Sequence, residues 1–427
     1  MRHVPDQIDL TKRREAQVEN LVISGTSSAG NRRLVVSLIL LFWGTVVLAA
    51  PSLLHAEDTP TDTLKERLNQ VADQVGGIQE RLATDEADIA NLKKVKVTGY
   101  VQARYEYHDD AVSSPKKGNE SDQSGLLNRF FVRRGRAKVT YQASSNALGV
   151  VYLDASASGV SLKDAYVSLT EPKSGLAFTL GQFNWLFGYE VSFSSSKREF
   201  PERAQWSQKL FPGERDRGLK VERAFLMDNK YSLSLQAGLY NGNGTSDSKF
   251  GANDPNKAKD FVTRAAFNLG QLDFGISGYF GKQFNPSDSV VPKQQPSTTD
   301  KVRYGADAQF FYELPKLGGG VLKGEVVAGK EPKDQKKPFS TGTKTRDVLG
   351  FDAVWAQNLS EKFQWISRVD YYDPDGDIAK DQKVIYGLGL IYFWDGNSKV
   401  KLIYEIPKAA ANDAKDNMMT LEWVYTF

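Results

Sequence analysis

After Lys94 the chain changes rhythm, and this limits what it can become more than any other feature. Val95, Val97, Gly99, Val101, Ala103, Tyr105 and Tyr107 alternate with Lys96, Thr98, Tyr100, Gln102, Arg104, Glu106 and His108. A two-residue period sends successive side chains to opposite faces of a strand. One face is therefore apolar and the other polar, over a length that crosses a bilayer. The last segment repeats the pattern, with Met419, Leu421, Trp423, Tyr425 and Phe427 set against Thr420, Glu422, Val424 and Thr426. Between them strands read at 130–143, 148–155, 160–170, 176–183, 218–225, 231–240, 261–269, 272–281, 302–312, 321–329, 348–356, 363–372, 383–394 and 399–406, which makes sixteen.

Polar stretches around 108–128, 184–217, 241–260, 282–300, 330–347, 373–382 and 407–416 alternate with short turns. Only the connection near 156–159 is short where a long one falls due. Long loops at one end and tight turns at the other, with an even strand count, are what an up-and-down barrel in an outer membrane produces. Lipid offers no partner to a bare sheet edge, so such a sheet must close. Sixteen strands leave a water-filled lumen, whereas about eight would be plugged by their own side chains. The expected fold over 95–427 is thus an all-β transmembrane barrel of about sixteen antiparallel strands. The mean hydropathy of −0.44 agrees, because only alternate residues need face lipid.

The N-terminal part reads differently. Arg32 and Arg33 precede an uncharged run from Leu34 to Ala50, followed by Pro51, Ser52 and then His55-Ala56-Glu57. This basic, apolar, small-residue order predicts a secretory signal with an N-terminal extension over 1–56; a retained membrane anchor is the alternative. From 57 to 94 the apolar residues Leu64, Leu68, Val71, Val75, Ile78, Leu82, Ile89 and Leu92 keep a 4-3 spacing broken at Asp85. That is a heptad seam and predicts a short α-helical coiled coil on the periplasmic side. A single amphipathic helix lying on the barrel mouth would share the pattern, and Gly76-Gly77 would weaken either helix.

Chemistry is confined by what the chain lacks. There is no cysteine, and of three histidines only His108 lies beyond the expected leader, so no metal set or cofactor site is expected. An outer-membrane barrel enzyme would have to be built on His108 with Asp109 and Asp110; a solvated loop histidine is the plainer reading. Lys and Arg total 55 against 52 Asp and Glu, which gives no general attraction to nucleic acid, so any selective charge must be local.

Two places concentrate cations. In the run Asn128 to Gln142, Arg133 precedes Arg134, Arg136 and Lys138, and these last three share the polar phase with Thr140 and Gln142. A row of permanently charged, forked donors inside a pore favours anions. The competing reading pairs them with Asp154, Asp164 or Glu222 on neighbouring walls, where they would only hold the barrel's shape. The segment 184–217 is too long for a turn and lacks a strand period. It carries Lys197, Arg198, Arg203, Lys209, Arg215 and Arg217 among Trp185, Phe187, Phe193, Trp206 and Phe211, with Lys220 just beyond. Such a loop can fold inward and set a constriction, or lie as a flap at a subunit contact. Its acids Glu190, Glu199, Glu202, Glu214 and Asp216 make its field mixed.

Arg133-Arg134-Gly135-Arg136, Asp164-Ala165-Tyr166-Val167, Gly181-Gln182-Phe183, Phe187-Gly188-Tyr189-Glu190, Phe200-Pro201-Glu202-Arg203 and Asp216-Arg217-Gly218 occur in an order and spacing that resembles the phosphate-selective porin O and P family. The likeness is closest over 129–220 and continues loosely to Phe427, whose terminal aromatic looks like a barrel-assembly signal. After Gly181-Gln182-Phe183 the family usually shows Lys and Pro, where this chain has Asn184 and Leu186. The resemblance implies a homotrimeric sixteen-stranded barrel in outer-membrane lipid that passes small anionic solutes past lining arginines. A general, sugar-permeable or cation-permeable pore on the same scaffold is the alternative, and rows such as Tyr371-Tyr372 would suit sugar stacking.

Overall fold

The computed structural model describes residues 61–109, 128–157, 159–227, 230–245, 254, 256–285, 297–333, 345–409 and 417–427. The expected leader lies outside the described residues.

Helix α1 (Thr61–Leu92) runs unbroken through Gly76-Gly77. Its seam residues Leu68, Val71, Val75, Ile78, Leu82, Ile89 and Leu92 are all exposed in the single chain. No helix among the described residues is long and apolar enough to cross a membrane.

The rest is built from β1 (Val95–His108), β2 (Asn128–Ser144), β3 (Ala147–Ser156), β4 (Gly159–Thr170), β5 (Ala177–Asn184), β6 (Arg215–Met227), β7 (Tyr231–Tyr240), β8 (Asp260–Asn268), β9 (Leu272–Asn285), β10 (Ser297–Leu314), β11 (Gly318–Pro332), β12 (Thr345–Asn358), β13 (Phe363–Asp373), β14 (Lys383–Phe393), β15 (Ser398–Ala409) and β16 (Met418–Thr426). Each strand pairs with its chain neighbours, and the sheet closes where β1 meets β16, from Tyr100↔Thr426 to His108↔Met418. Closure satisfies the backbone of both terminal strands without an edge. Outward positions are apolar and exposed, among them Val139, Leu180, Ile276, Leu322, Leu388 and Leu421. Aromatic pairs gather toward both rims of this belt, Phe280–Tyr304 and Phe351–Tyr371 toward the long loops, Phe363–Tyr392 and Trp394–Trp423 toward the tight turns.

Three departures from strict alternation matter. Strand β6 begins at Arg215, so Arg215 and Arg217 stand on a strand and not in the loop that the sequence assigned them to. Their pairing with Asn184 and Gln182 continues the β5–β6 ladder past the point where the apolar pattern stops. On β2 the exposed apolar residues are Phe130 and Val132 near one end but Val139 and Tyr141 near the other. Even has become odd, and so Arg133 and Arg134 both turn inward. Between β3 and β4, Tyr152 pairs with Asp164 and Leu153 with Leu162, which leaves Lys163 of β4 as an extra residue. This is a β-bulge, which aims two consecutive side chains toward one face.

Candidate functional site

The long segment between β5 and β6, residues 185–214, folds into the lumen. Inward positions of the strands were expected to be polar, yet Tyr240, Val262, Tyr279, Val327, Val348 and Tyr372 form one buried apolar cluster with Trp185, Leu186, Phe187, Val191, Ala204, Trp206, Leu210 and Phe211 of the loop. The wall is shaped to receive it. A side chain at Gly350 would collide with Trp206, one at Gly387 with Phe200, and one at Gly305 with Phe187. The loop's single short helix α2 (Gln205–Leu210) starts where Gln205 N donates to Asp370 Oδ2 at 2.9 Å, and Trp206 Nε1 donates to Asp352 Oδ1 at 2.8 Å.

Polar ties carry the loop across the lumen. Gly188 N donates to Ser277 Oγ on β9 (3.0 Å), and Tyr189 N and Glu190 N both donate to Glu325 Oε2 on β11 (3.0 and 2.8 Å). At the far side Gln102 Nε2 of β1 donates to Ser195 O (2.9 Å), Arg104 Nη2 to Pro201 O (2.7 Å), Arg368 Nη1 of β13 to Glu202 O (2.9 Å) and Lys401 Nζ of β15 to Arg198 O (2.9 Å). These contacts answer the loop's backbone donors and acceptors, which a buried loop must satisfy. They also place the loop inside the lumen and not as a flap on the outside of the barrel, because every one of them faces the lumen.

The cations read from the sequence fall into three groups. Arg133 Nε and Arg134 Nη2 converge on Glu202 (2.7 and 3.0 Å), joined by Arg104 Nη1 (2.8 Å). Burial would push the Glu202 carboxyl up, but the guanidiniums of Arg104, Arg134 and Arg133 hold it well below the usual carboxylate range. Arg203 donates to Glu214 at 2.6 Å and Arg198 lies 3.8 Å from Glu190, so the loop neutralises much of its own charge. Burial and the adjacent Arg203 bring the Arg198 guanidinium down to about 10. Lys197 is exposed on the same loop.

Three further cations meet the wall acids named above as their possible partners. Arg136 Nη2 pairs with Asp154, Arg215 Nε with Asp164 and Lys220 Nζ with Glu222, each at 2.9 Å. Arg217 Nη2 donates to Thr245 O at 3.4 Å. Lys138 faces inward from β2 without an ion pair among the described residues, as does Lys163 on the β4 bulge, which the sequence reading passed over. A signal for it existed in the phase slip between Val160-x-Leu162 and Val167-x-Leu169.

Burial divides the lumen into a covered and an open side. Charged inward residues of β10 to β16 are buried, including Asp307, Lys323, Glu325, Asp352, Arg368, Asp370, Lys401, Glu405 and Glu422. Inward residues from the middle of β2 to β6, such as Lys138, Asp154, Lys163, Asp164, Lys220 and Glu222, remain partly exposed. Asp109 at the end of β1 accepts from Asn417 Nδ2 (3.0 Å) and Tyr404 OH, while Asp110 lies outside the described residues.

A closed sixteen-stranded barrel with an apolar outer belt, a charged lumen and a loop folded across it defines an outer-membrane porin, a channel in preference to an enzyme. Residues 95–309, half of the chain, match the phosphate-selective porin O and P family, and the chain belongs to that family. The fold is similar to that of the anion-selective porin from Comamonas acidovorans (13% identity, TM-score 0.51, covering 78% of this chain and 99% of that one). It is also similar to OmpF of Salmonella typhi in complex with daunomycin (11%, 0.53, 78% and 97%) and to the outer-membrane channel DcaP of Acinetobacter baumannii (12%, 0.51, 78% and 97%). At such identities the likeness concerns the fold alone. No curated protein sequence matches the chain.

Proposed function

We propose that this porin is a passive diffusion channel that prefers small anions, with its conducting path along the inner wall of β2 to β6. One observation carries the reading: the inward loop covers the charges of β10 to β16, while the inner wall of β2 to β6, which it leaves less covered, carries more cations than acids. There Asp154, Asp164 and Glu222 are each matched by one cation, and Lys138 and Lys163 remain over. Positive charge along a narrow aqueous path raises the local anion concentration and lowers that of cations. Phosphate and other inorganic or organic anions fall within this class. Membership of a phosphate-selective family supports the same direction.

The leader over 1–56 would export the chain, and the barrel would sit as a homotrimer in outer-membrane lipid. Three copies of α1 are read as a periplasmic coiled coil, because an apolar seam exposed in one chain needs partners to bury it. Purified protein in a planar bilayer under a potassium chloride gradient tests the channel reading. Ohmic steps with a reversal potential favouring chloride are expected, and replacing Arg134 and Arg136 by Ala weakens that preference. A cation-favouring reversal potential refutes the anion preference.

A further inference from the structure

Resting on that anion-preferring reading, we propose that Lys163 is a specificity-determining cation of the path and that Gln182 is the positioning residue that holds it there. In an unbroken strand only alternate residues can face the lumen, so Lys163 and Asp164 could not both do so. The bulge changes this. Leu162 pairs with outward Leu153 above it and Asp164 with inward Tyr152 below it, so Lys163 joins Asp164 on the wet face. Outward exposure of Val160 and Leu162 on one side and of Val167 and Leu169 on the other fixes the two phases.

The two inward neighbours then differ in availability. Asp164 accepts from Arg215 Nε at 2.9 Å. The Lys163 ammonium has no carboxylate within ion-pair distance among the described residues. Glu214, Arg215, Arg136 and Asp154 face it, and each of these acids already has an arginine partner. Of the other cations on this wall, Arg136, Arg215 and Lys220 are paired, and their fields are largely cancelled a few ångströms away, whereas Lys138 on β2 is, like Lys163, without an ion pair among the described residues. An unpaired ammonium keeps its field, which is felt within about a Debye length of 8–10 Å.

A bulge has a cost, since it strips carbonyls of their ladder partners. The β4–β5 pairing runs only to Ala165↔Gln182, so β5 supplies no backbone donor to Leu162 O or Lys163 O. The Gln182 side chain supplies both, with Nε2 2.8 Å from Leu162 O and 2.9 Å from Lys163 O. Gly181 permits the approach: its φ is +137°, and a side chain there would collide with Ala165 O and the Tyr166 backbone. The Gly181-Gln182 pair is therefore the clamp that keeps the bulge, and with it the direction of Lys163.

The test is the chloride-to-potassium permeability ratio in planar bilayers, measured for wild type, Lys163→Gln, Lys163→Arg, Gln182→Leu and the double variant Lys163→Gln/Gln182→Leu. Folding of each is checked by its heat-shifted mobility on a gel. Lys163→Gln should lower the ratio about threefold, the size of one screened unit charge at a few ångströms, and Lys163→Arg should leave it unchanged. Gln182→Leu should lower it by a similar factor in the wild type but not when Lys163 is already Gln. An anion-preferring wild type whose ratio survives Lys163→Gln overturns the assignment alone. A wild type that prefers potassium overturns the reading on which it rests. Equal effects of Gln182→Leu in both backgrounds refute the positioning role, since a general loosening of the barrel would act regardless of residue 163.

Discussion

If the inward loop sets the constriction, then Trp206 is the contact whose loss should open it. Its side chain is fully buried against the wall of β12, in the space that Gly350 leaves, and its indole N–H answers Asp352 at 2.8 Å. Truncating a buried Trp to Ala typically costs about 3–5 kcal/mol in lost transfer and cavity terms. Leaving the Asp352 oxygen without its donor adds about 1–3 kcal/mol. The two are not strictly additive, so about 4–5 kcal/mol is a working figure. Each 1.4 kcal/mol is a factor of ten, and the ratio of docked to undocked loop should therefore fall roughly a thousandfold. The strand ladder is untouched, so the barrel should still form. Single-channel recording of Trp206→Ala should give larger steps and more open-channel noise than wild type, with the folded band on an unboiled gel unchanged. Gly350→Val attacks the same contact from the wall and should give the same phenotype. A folded Trp206→Ala barrel with wild-type step size and noise would falsify the view that the docked loop limits conduction.

Two further outcomes follow from the geometry. The Glu202 carboxyl, against its burial, is held below its ordinary value by Arg104, Arg134 and Arg133, so its stabilisation is complete above the unfolded value of about 4.5 and shrinks as pH falls toward the lower folded one. Open-channel noise of Glu202→Gln should thus exceed that of wild type by a constant margin from pH 8 to 5, the two converging only in stronger acid; a margin that changes between pH 8 and 6 contradicts this. In the full-length protein, Leu68→Asp with Leu82→Asp should weaken trimer association, since each apolar seam residue contributes about 1.5–3 kcal/mol when buried. Unaltered trimer mass in detergent by light scattering would remove the coiled coil from the account.

Much of the barrel could be read before any coordinates. The sixteen strands, the alternation of long loops and tight turns and the inward phase of Arg134, Arg136 and Lys138 rest on neighbours two residues apart, and such information is written along the chain. The bulges were written there as well, as odd separations between apolar pairs, but a template of unbroken alternation hides them. Arg133 and Lys163 show the consequence: each gained its inward direction from a phase slip, and only the first had been singled out.

By itself, then, the amino-acid order determined a closed, lipid-facing cylinder with cations on selected strands, because a period of two is a local property and closure follows from having no wet edge to spare. Where the loop went was decided only in three dimensions. Trp206 finds Gly350, Phe200 finds Gly387, and Arg104 finds Glu202. Nothing local marks those partners for one another. They meet because the cylinder brings opposite walls within reach of one loop, and this also decides which charges are cancelled and which remain for a solute to meet.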